Sequence, residues 1–198
     1  MKQVIISISR EYGSGGHYIA DKLSKTLGIT MYDRNMLDKI GEEKGFDMAD
    51  MKKYDEARKN PLLSRTVRGL SSSPEDALAQ MQFDYINKKA DEGESMIIVG
   101  RCADHVLRGR KNLITIFVMG DMAEKKKRIM RVRKMSEHEA EKAIIRHDKN
   151  RRAYHNHYSD TKWGDSRYYE CCINSSKLGL DDTCDMLEAY IRKRIDKM

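Results

Sequence analysis

The sequence predicts an α/β fold in which helices pack against a parallel β-sheet. Short β-branched runs alternate with longer stretches whose apolar side chains recur at helical spacing. A glycine-rich turn joins the first run to the first helical stretch, and charged residues directly follow several of the runs. Strands that alternate with helices in this way are typical of parallel sheets with helical crossovers.

The length and composition predict a single domain. The chain has 198 residues, enough for a hydrophobic core that needs no disulfide bonds. No stretch reaches the ~18 apolar residues of a membrane span, and the N-terminal apolar run is too short for a signal peptide. The four cysteines lack metal-ligand spacing, so we assign no residue as a metal ligand and expect a reduced, cytoplasmic protein with no membrane partner.

The first strand, near residues 4–8, leads into the turn Gly13-Ser14-Gly15-Gly16 and then into a helix that ends at Gly28. Glycines allow backbone amides to approach a ligand closely, and a helix N-terminus adds positive potential. The turn therefore predicts a phosphate site. The alternative is a tight strand-to-helix turn with no ligand.

This turn departs from the phosphate-loop pattern, in which a glycine is followed by four residues and then by Gly-Lys-Ser/Thr. Arg10 stands at the place of the first glycine, and Gly16 stands at the place of the lysine. His17 replaces the hydroxyl residue that normally binds the metal ion. The sequence thus lacks the usual phosphate-binding lysine.

A second strand, near residues 29–32, ends at Asp33-Arg34. Parallel strands present their carboxyl ends at one edge of a sheet, so this pair is expected to face the same crevice as the glycine turn. Asp33 could hold a metal or a substrate hydroxyl, and Arg34 a phosphate. A turn with a surface ion pair is the alternative.

Residues 36–92 form a polar, helical segment that is too long for a simple crossover. Ser73 before Pro74 predicts a capped helix start. Three arginines, Arg58, Arg65 and Arg68, suggest a flap on the substrate side.

The third strand, near residues 95–99, ends at Gly100-Arg101, where a phosphate would bind; Asp104 follows on a short helix. After a fourth strand, near residues 113–118, two helices are predicted to start at Asp121 and Ser136. Each of these two residues has a glutamate three positions later, in a capping arrangement. A fifth strand, near residues 169–173, precedes the last helix, which opens at Leu180.

Positive charge is concentrated in residues 101–158, which carry a net charge of +9, against −2 for the rest of the chain. Such a region attracts nucleic acid or the phosphates of a nucleotide, unless it is only a solvated helix face. Few aromatic residues interleave with these charges before Tyr154, which argues against nucleic acid. Arginines on a helical hairpin beside a phosphate site are instead typical of a lid.

Six motifs together resemble the cytidylate kinase-like proteins among the P-loop nucleoside monophosphate kinases. The match spans nearly the whole chain, and it is specific only when the motifs are taken together. The motifs are Ile8-Ser9-Arg10-Glu11-Tyr12-Gly13-Ser14-Gly15-Gly16, Tyr32-Asp33-Arg34, Gly100-Arg101-Cys102-Ala103-Asp104, Asp148-Lys149-Asn150-Arg151-Arg152-Ala153-Tyr154, Trp163-Gly164-Asp165 and Ile173-Asn174-Ser175-Ser176.

The resemblance implies a three-layer P-loop NTPase fold with a five-stranded parallel sheet of order 2-3-1-4-5. The core would comprise residues 1–35, 93–122 and 165–198, the monophosphate-binding insertion residues 36–92, and the lid residues 123–164. The implied reaction transfers the γ-phosphoryl group of ATP, with Mg²⁺, to a nucleoside monophosphate or a related small phosphate acceptor. The oligomeric state stays open, with a homo-oligomer among the alternatives.

The resemblance also implies roles for individual residues. The ATP phosphates would bind Gly13, Ser14, Gly15, Gly16, His17 and Tyr18. The acceptor would bind Arg34, Arg101 and Asp104, and Asp33 would lie near the metal and the acceptor. Arg146, Arg151 and Arg152 would be lid cations, positioned by Asp148.

The chain departs from true cytidylate kinases at two positions, Gly16 for the loop lysine and Cys102 for an aspartate that helps to hold the acceptor. Arg10 is the candidate replacement for the lysine. A nucleotide-binding regulator with little turnover is therefore the alternative function, and a basic nucleic-acid-binding protein is the third.

Overall fold

The computed structural model describes residues 2–45, 66–67, 70–71 and 73–198. The strands are β1 (Ile5–Arg10), β2 (Thr30–Tyr32), β3 (Thr66–Val67), β4 (Leu70–Ser71), β5 (Met96–Val99), β6 (Leu113–Met119) and β7 (Cys171–Asn174). Five of them form a parallel sheet in the order β2-β5-β1-β6-β7, while β3 and β4 pair as a separate antiparallel hairpin. Counted along the chain, the order of the five core strands is 2-3-1-4-5, which confirms the prediction.

Helices pack against both faces of this sheet. They are α1 (Gly16–Leu27), α2 (Met36–Lys44), α3 (Pro74–Asp91), α4 (Ala103–Val106), α5 (Met122–Arg133), α6 (Glu137–Tyr158), α7 (Ser175–Leu178) and α8 (Leu180–Asp196). A 3-10 turn covers Ser166–Tyr168. The division into core, insertion and lid stays a prediction, and the arginines predicted in a flap, Arg58, Arg65 and Arg68, lie outside the described residues.

The central strand β1 is buried on both faces, which explains its continuous apolar sequence. Side chains alternate between the two faces of a strand, so neighbouring residues of β1 enter different cores. Ile6 and Ile8 pack with α1 and α8, whereas Ile5 packs with α2, α3 and α4. The sheet is therefore packed between two hydrophobic layers. The edge formed by the carboxyl ends of its strands lies outside these layers and could accept a ligand.

Local capping rules predict two of the helix starts correctly. The Ser73 side chain accepts a hydrogen bond from the Asp76 amide at the start of α3. Ser136 and Glu139 form a complete capping box at the start of α6, with the Ser136 amide donating to Glu139 over 2.8 Å. These contacts use neighbours in sequence, so the sequence pattern is sufficient to predict them.

Asp121 is the N-cap residue of α5, as predicted, but the capping hydrogen bond expected of its side chain is absent. The Asp121 carboxylate makes no capping bond, because it accepts hydrogen bonds from Lys177 at 2.6 Å and from Asn174 at 2.8 Å. Residues that are distant in sequence therefore bind the Asp121 carboxylate in place of a backbone amide of α5.

Three strands end with a charged residue at the same edge of the sheet. Arg10 closes β1, Asp33 follows β2, and Arg101 follows β5 after one glycine. Among the described residues, no helix is both long and apolar enough to span a membrane.

Candidate functional site

A cleft of about 730 Å³ lies at the carboxyl edge of the sheet. Its wall contains seven arginines, against three acidic residues, Glu11, Asp33 and Asp181. The arginines come from β1, from the loops after β2 and β5, and from helices α5 and α6; they are Arg10, Arg34, Arg101, Arg128, Arg131, Arg133 and Arg151. With His17 neutral, the lining carries a net charge of about +4, which favours a polyanionic ligand.

The glycine turn forms the floor of this cleft. Gly13 and Gly15 have φ angles of +86° and +82°, a region in which other residues are strained. Space is also restricted, since a Cβ atom at Gly15 would lie 2.4 Å from a methyl carbon of Leu180. The Ser14 hydroxyl donates to the Glu11 carbonyl at 2.9 Å and therefore stabilises the turn from within.

Arg10 and Gly16 occupy adjacent space at the start of α1. A Cβ atom at Gly16 would lie 2.6 Å from the Cβ atom of Arg10 and 3.0 Å from its Cγ atom. Real Cβ atoms do not approach this closely, so any side chain at position 16 would require Arg10 to move. The absence of a lysine at position 16 is therefore sterically linked to the presence of Arg10 at the end of β1.

Arg101 lies in an unusual backbone segment. Gly100, Arg101 and Cys102 all have positive φ angles, of 82°, 58° and 51°. For residues other than glycine this conformation costs on the order of 1–2 kcal/mol each. The segment holds the Arg101 guanidinium against the cleft at 1% exposure, with Nη1 3.4 Å from the Val99 carbonyl oxygen. Strain of this kind is typical of ligand-binding positions.

His17 and Asp33, which belong to separate elements, contact each other beside the glycine turn. His17 Nε2, in the first turn of α1, lies 2.7 Å from Asp33 Oδ2, after β2. The hydrogen bond from His17 lowers the pKa of Asp33 to about 2, so its carboxylate is ionised at neutral pH. The predicted pair Asp33-Arg34 therefore faces the glycine turn, as expected from the strand order.

Helices α5 and α6 pack together above the cleft and contribute its other cations. Arg128, Arg131 and Arg133 come from α5, and Arg151 comes from α6. Partial burial, followed by the neighbouring Arg131, lowers the pKa of the Arg128 guanidinium. Guanidinium groups in close proximity repel one another, so an anionic ligand would stabilise this arrangement.

A network around Lys125 ties these helices to the glycine turn. The Lys125 ammonium, with a side chain only 6% exposed, donates to Glu11 at 2.9 Å and to Asp148 at 3.3 Å. Asp148 also accepts the Tyr12 amide at 2.6 Å, and the Gly120 amide donates to Glu11 at 3.1 Å. Burial raises the pKa of the Asp148 carboxyl, against the influence of these donors.

Tyr12 adds an aromatic contact to the same junction. Its ring stacks on His147 of α6 with centroids 4.2 Å apart, and the Arg151 guanidinium lies 5.6 Å from the ring centroid. Arg151 also donates to the Arg10 carbonyl at 3.2 Å. The α6 helix is therefore fixed to the end of β1 by charge, hydrogen bonding and stacking.

Most of the predicted site residues line the cleft together. These are Arg10, Gly13, Gly15, Gly16, His17, Tyr18, Asp33, Arg34, Arg101 and Arg151. Ser14 and Asp148 instead stabilise the turn and the α6 contact. Arg146 is exposed on α6 outside the cleft lining, and Arg152 lies 5.6 Å above the Trp163 ring.

Asp104 lies outside the cleft lining, in a buried hydrogen-bonded pair with His155. Its Oδ2 atom is 2.8 Å from His155 Nε2, and both side chains are almost completely buried. A pair of this kind fixes α4 against α6. The assignment of Asp104 to acceptor binding stays a prediction.

Several residues that line or support the cleft are not among the predicted site residues. Arg128, Arg131 and Arg133 were visible as part of a basic run, but helix spacing alone does not show which of them face the cleft. Nothing in the sequence pattern indicated Lys125 as the link to Glu11, because these two residues lie 114 positions apart.

The cleft offers few protein ligands for the Mg²⁺ that the resemblance implies, with Asp33 as the candidate carboxylate. Where the phosphate loop normally supplies a hydroxyl, this chain supplies the His17 imidazole. Across the described residues, no group of three or more histidine, cysteine, aspartate or glutamate side chains could hold a metal by itself. The described residues therefore supply at most a partial coordination sphere.

The sheet order, the glycine turn and the arginine-lined cleft define a P-loop kinase fold. The chain belongs to the cytidylate kinase-like family, whose model matches residues 5–177. This membership supports a kinase-type function, in which a phosphoryl group is transferred. No curated protein sequence matches the chain at a significant level.

Solved structures agree with this assignment. The chain is 36% identical to an uncharacterized protein from Eubacterium ventriosum, with 96% of this chain and 99% of that chain covered and a TM-score of 0.77. A shikimate kinase from Bacteroides thetaiotaomicron has 13% identity, coverage of 96% and 98%, and a TM-score of 0.56. A gluconokinase from Sinorhizobium meliloti has 10% identity, coverage of 97% and 93%, and a TM-score of 0.51. The last two likenesses concern the fold alone.

Lys125→Met should destabilise the protein by about 2–3 kcal/mol, because it leaves Glu11 and Asp148 without their shared cation. Urea unfolding monitored by circular dichroism measures this change. Lys127→Met is the matched control on the same helix, since Lys127 forms an exposed pair with Glu124 and should change stability by less than about 0.5 kcal/mol. Equal effects of the two variants would contradict a structural role for the Lys125 network.

Gly16→Ala should destabilise the protein by about 1–3 kcal/mol because of the contact with Arg10. In a helix, alanine instead of glycine normally stabilises by about 0.5–1 kcal/mol. The same substitution in an Arg10→Gly background, which removes the opposing Cβ atom, should therefore be neutral or stabilising. Unfolding free energies of the four proteins of this cycle would show the coupling, and additive effects would exclude it.

Proposed function

We propose that this protein is a phosphotransferase that moves the γ-phosphoryl group of ATP to a nucleoside monophosphate or a related small acceptor that carries its own phosphate. Family membership and fold support a kinase-type function. The identity of the donor and the acceptor is inferred from the cleft.

The charge of the cleft carries the proposal. An ATP molecule has about four negative charges, a divalent ion offsets two of them, and a phosphate monoester adds about two more. The resulting charge of about −4 balances the net +4 of the cleft lining. A neutral acceptor would leave part of this positive charge unbalanced, so an acceptor with a phosphate group matches the site better.

Arg10 is proposed to bind the transferred phosphoryl group in place of the missing lysine. It ends the central strand directly beneath the glycine turn, and its carbonyl is held by Arg151. A guanidinium can bind two phosphate oxygens at once, whereas an ammonium acts as a point charge. Arg10 would thus stabilise the charge that develops during phosphoryl transfer.

Arg101 and Arg34 are proposed to bind the phosphate of the acceptor, with Asp33 orienting the reacting group between them. All three lie at the ends of β2 and β5, next to the glycine turn. Because the backbone around Arg101 is strained and the side chain is buried, its guanidinium is held in position before the acceptor arrives. Such preorganisation reduces the cost of ordering the site during reaction.

The lid would close over the phosphates from α5 and α6. Arg151 already lines the cleft, and Asp148 positions its helix through the Tyr12 amide and Lys125. Arg146 and Arg152, on the same helix, would join the site only in a closed state. Exclusion of water by closure strengthens the electrostatic contacts and limits hydrolysis of ATP.

The apolar part of the cleft lining suits the nucleoside of ATP. Leu180 and Val132 supply apolar surface there, and Tyr18 supplies an aromatic ring whose hydroxyl donates to Asp181 at 2.8 Å. A planar base can stack on such a surface. The cleft lining therefore offers both apolar and cationic surface, as a nucleotide requires.

A nucleotide-binding regulator with little turnover is the second candidate, favoured by the lysine-free turn. Such a regulator would bind its nucleotide in the same cleft and would differ from the kinase only in the rate of phosphoryl transfer. The convergence of the arginines on one cleft supports a small ligand over a nucleic acid, because a nucleic-acid site needs an extended cationic surface.

A panel of nucleoside monophosphates with ATP and a divalent ion should reveal one acceptor that raises ADP production well above the ATP-only background. A coupled assay for ADP provides the measurement, and calorimetry of ATP binding accompanies it. Binding of ATP without turnover on any acceptor would favour the regulator. Absence of ATP binding would refute the proposal.

Arg10→Ala should weaken ATP binding or lower turnover by about 100-fold or more, because one phosphate-binding cation is lost. Arg192→Ala is the matched control, since Arg192 pairs with Glu188 on the exposed face of α8. Thermal unfolding of both variants separates binding from folding. Were Arg10→Ala to lose stability and affinity in proportion, its role would be structural.

A further inference from the structure

We propose that Asp104 and His155 form a positioning pair, which sets the distance between two arginines of the cleft. The arginines are Arg101, which binds the acceptor under the proposed function, and Arg151, which belongs to the lid. Neither member of the pair lines the cleft, so both act through these arginines. The value of the pair for catalysis rests on the proposed function. This role differs from the direct acceptor contact that the resemblance implies for Asp104.

The pair is shielded from solvent. Asp104 Oδ2 lies 2.8 Å from His155 Nε2, and the two side chains are only 3% and 4% exposed. Their other polar atoms, Asp104 Oδ1 and His155 Nδ1, are buried without a hydrogen-bond partner among the described residues. Each side chain therefore depends on the other, and the bond between them requires a defined direction.

Each member of the pair lies close along the chain to a cleft arginine. Asp104 follows Arg101 by three residues, at the start of α4. His155 follows Arg151 by four residues on α6, and residues four apart in a helix share one face. Both arginines line the cleft. A shift of α4 relative to α6 would therefore break the pair and separate the two guanidinium groups from their present positions.

Helix α6 is anchored on both sides of Arg151. Asp148, three residues earlier, accepts the Tyr12 amide at 2.6 Å, and His155, four residues later, contacts Asp104 at 2.8 Å. The two anchors are about 10 Å apart along the helix axis. A helix held at only one of these points could pivot about it. The second anchor therefore fixes the direction in which Arg151 enters the cleft.

The same helix supports the strained segment 100–102. All three of its residues have positive φ angles, and such a conformation persists only where the surrounding structure holds it. Tyr154 of α6 packs against Cys102 in a buried cluster, and the next residue, His155, contacts Asp104. The backbone that carries the acceptor-binding arginine is therefore supported from α6 at two positions.

The polar nature of the pair favours positioning over stability alone. Apolar side chains of similar size often stabilise a protein as well as a buried charged pair does. Packing between apolar groups, however, has no required direction, whereas a hydrogen bond weakens steeply when its angle changes. Asp104 and His155 thus supply an orientation that an apolar contact would not.

Nuclear magnetic resonance of the intact protein, labelled with ¹⁵N-arginine, tests this placement without any ligand. The Nε–H signals of Arg101 and Arg151 are assigned from Arg101→Lys and Arg151→Lys. His155→Leu removes the hydrogen bond and should shift both signals. His155→Gln, whose amide can still donate to Asp104, should retain the wild-type positions.

Two further variants separate positioning from stability. Ile191→Ala is the matched control, because Ile191 is fully buried on α8 in the layer that packs on Ile6 and Ile8. It should lower the unfolding temperature and leave both arginine signals in place. Asp104→Ala combined with His155→Leu leaves no buried unpaired group, so it should recover stability relative to His155→Leu. Both signals should nevertheless stay shifted in this double variant.

Kinetics show whether the placement matters for the reaction. The acceptor is the nucleoside monophosphate that gives the highest turnover with the wild type. His155→Leu should lower its kcat/KM by about 10–100-fold, because a displacement of about 1 Å can cost this much. The KM of the acceptor should rise more than the KM of ATP, since the ATP phosphates are proposed to bind the glycine turn. His155→Gln should retain most of the activity.

The possible failures are distinguishable. Arginine signals that stay unshifted in the double variant, or that shift in a folded His155→Gln variant, would overturn the positioning role and leave the proposed function intact. Absence of turnover in the wild type with every nucleoside monophosphate would refute the proposed kinase activity instead, and the arginine signals would still test the pair. The double variant provides this test even if His155→Leu does not fold.

Discussion

The buried ion network around Lys125 is the interaction on which the candidate site depends. One ammonium group, shared by Glu11 and Asp148, connects the segment after β1 to helices α5 and α6. Removing these charges from water is costly, and their mutual attraction compensates only when the geometry is maintained. The network therefore fixes how the arginines of both helices face the glycine turn, even though neither Lys125 nor Asp148 lines the cleft.

The turn carries a glycine at the place of the usual phosphate-loop lysine, and an arginine lies beside it. In the usual pattern the lysine projects from the start of the helix, but here Gly16 leaves that space to the Arg10 side chain from the end of the strand. The two positions cannot both carry a side chain in this backbone. A side chain at position 16 would therefore require a change at position 10, so Gly16 is better understood together with Arg10 than by itself.

The sequence was sufficient for features that depend on neighbouring residues. Apolar runs located the strands, and Ser136 with Glu139 located the start of α6. The sequence did not predict contacts between residues that are distant along the chain. Asp121 has the correct residue type for a cap, yet Lys177 and Asn174 engage its carboxylate. Spacing rules describe a residue's own helix or strand and contain no information on such tertiary partners.

Cys102, the residue after Arg101, bears on how this protein would select its acceptor. In true cytidylate kinases an aspartate at this place helps to hold the acceptor, but Cys102 is buried in a cluster with Ala79 of α3 and Tyr154 of α6. The side chain at position 102 therefore contributes to the packing between α3 and α6. Since kinases of this fold are named for acceptors as different as shikimate and gluconate, the fold does not select the acceptor. Under the proposed function, recognition without that carboxylate would fall to the arginines, which would bind a phosphate and would not distinguish the rest of the acceptor.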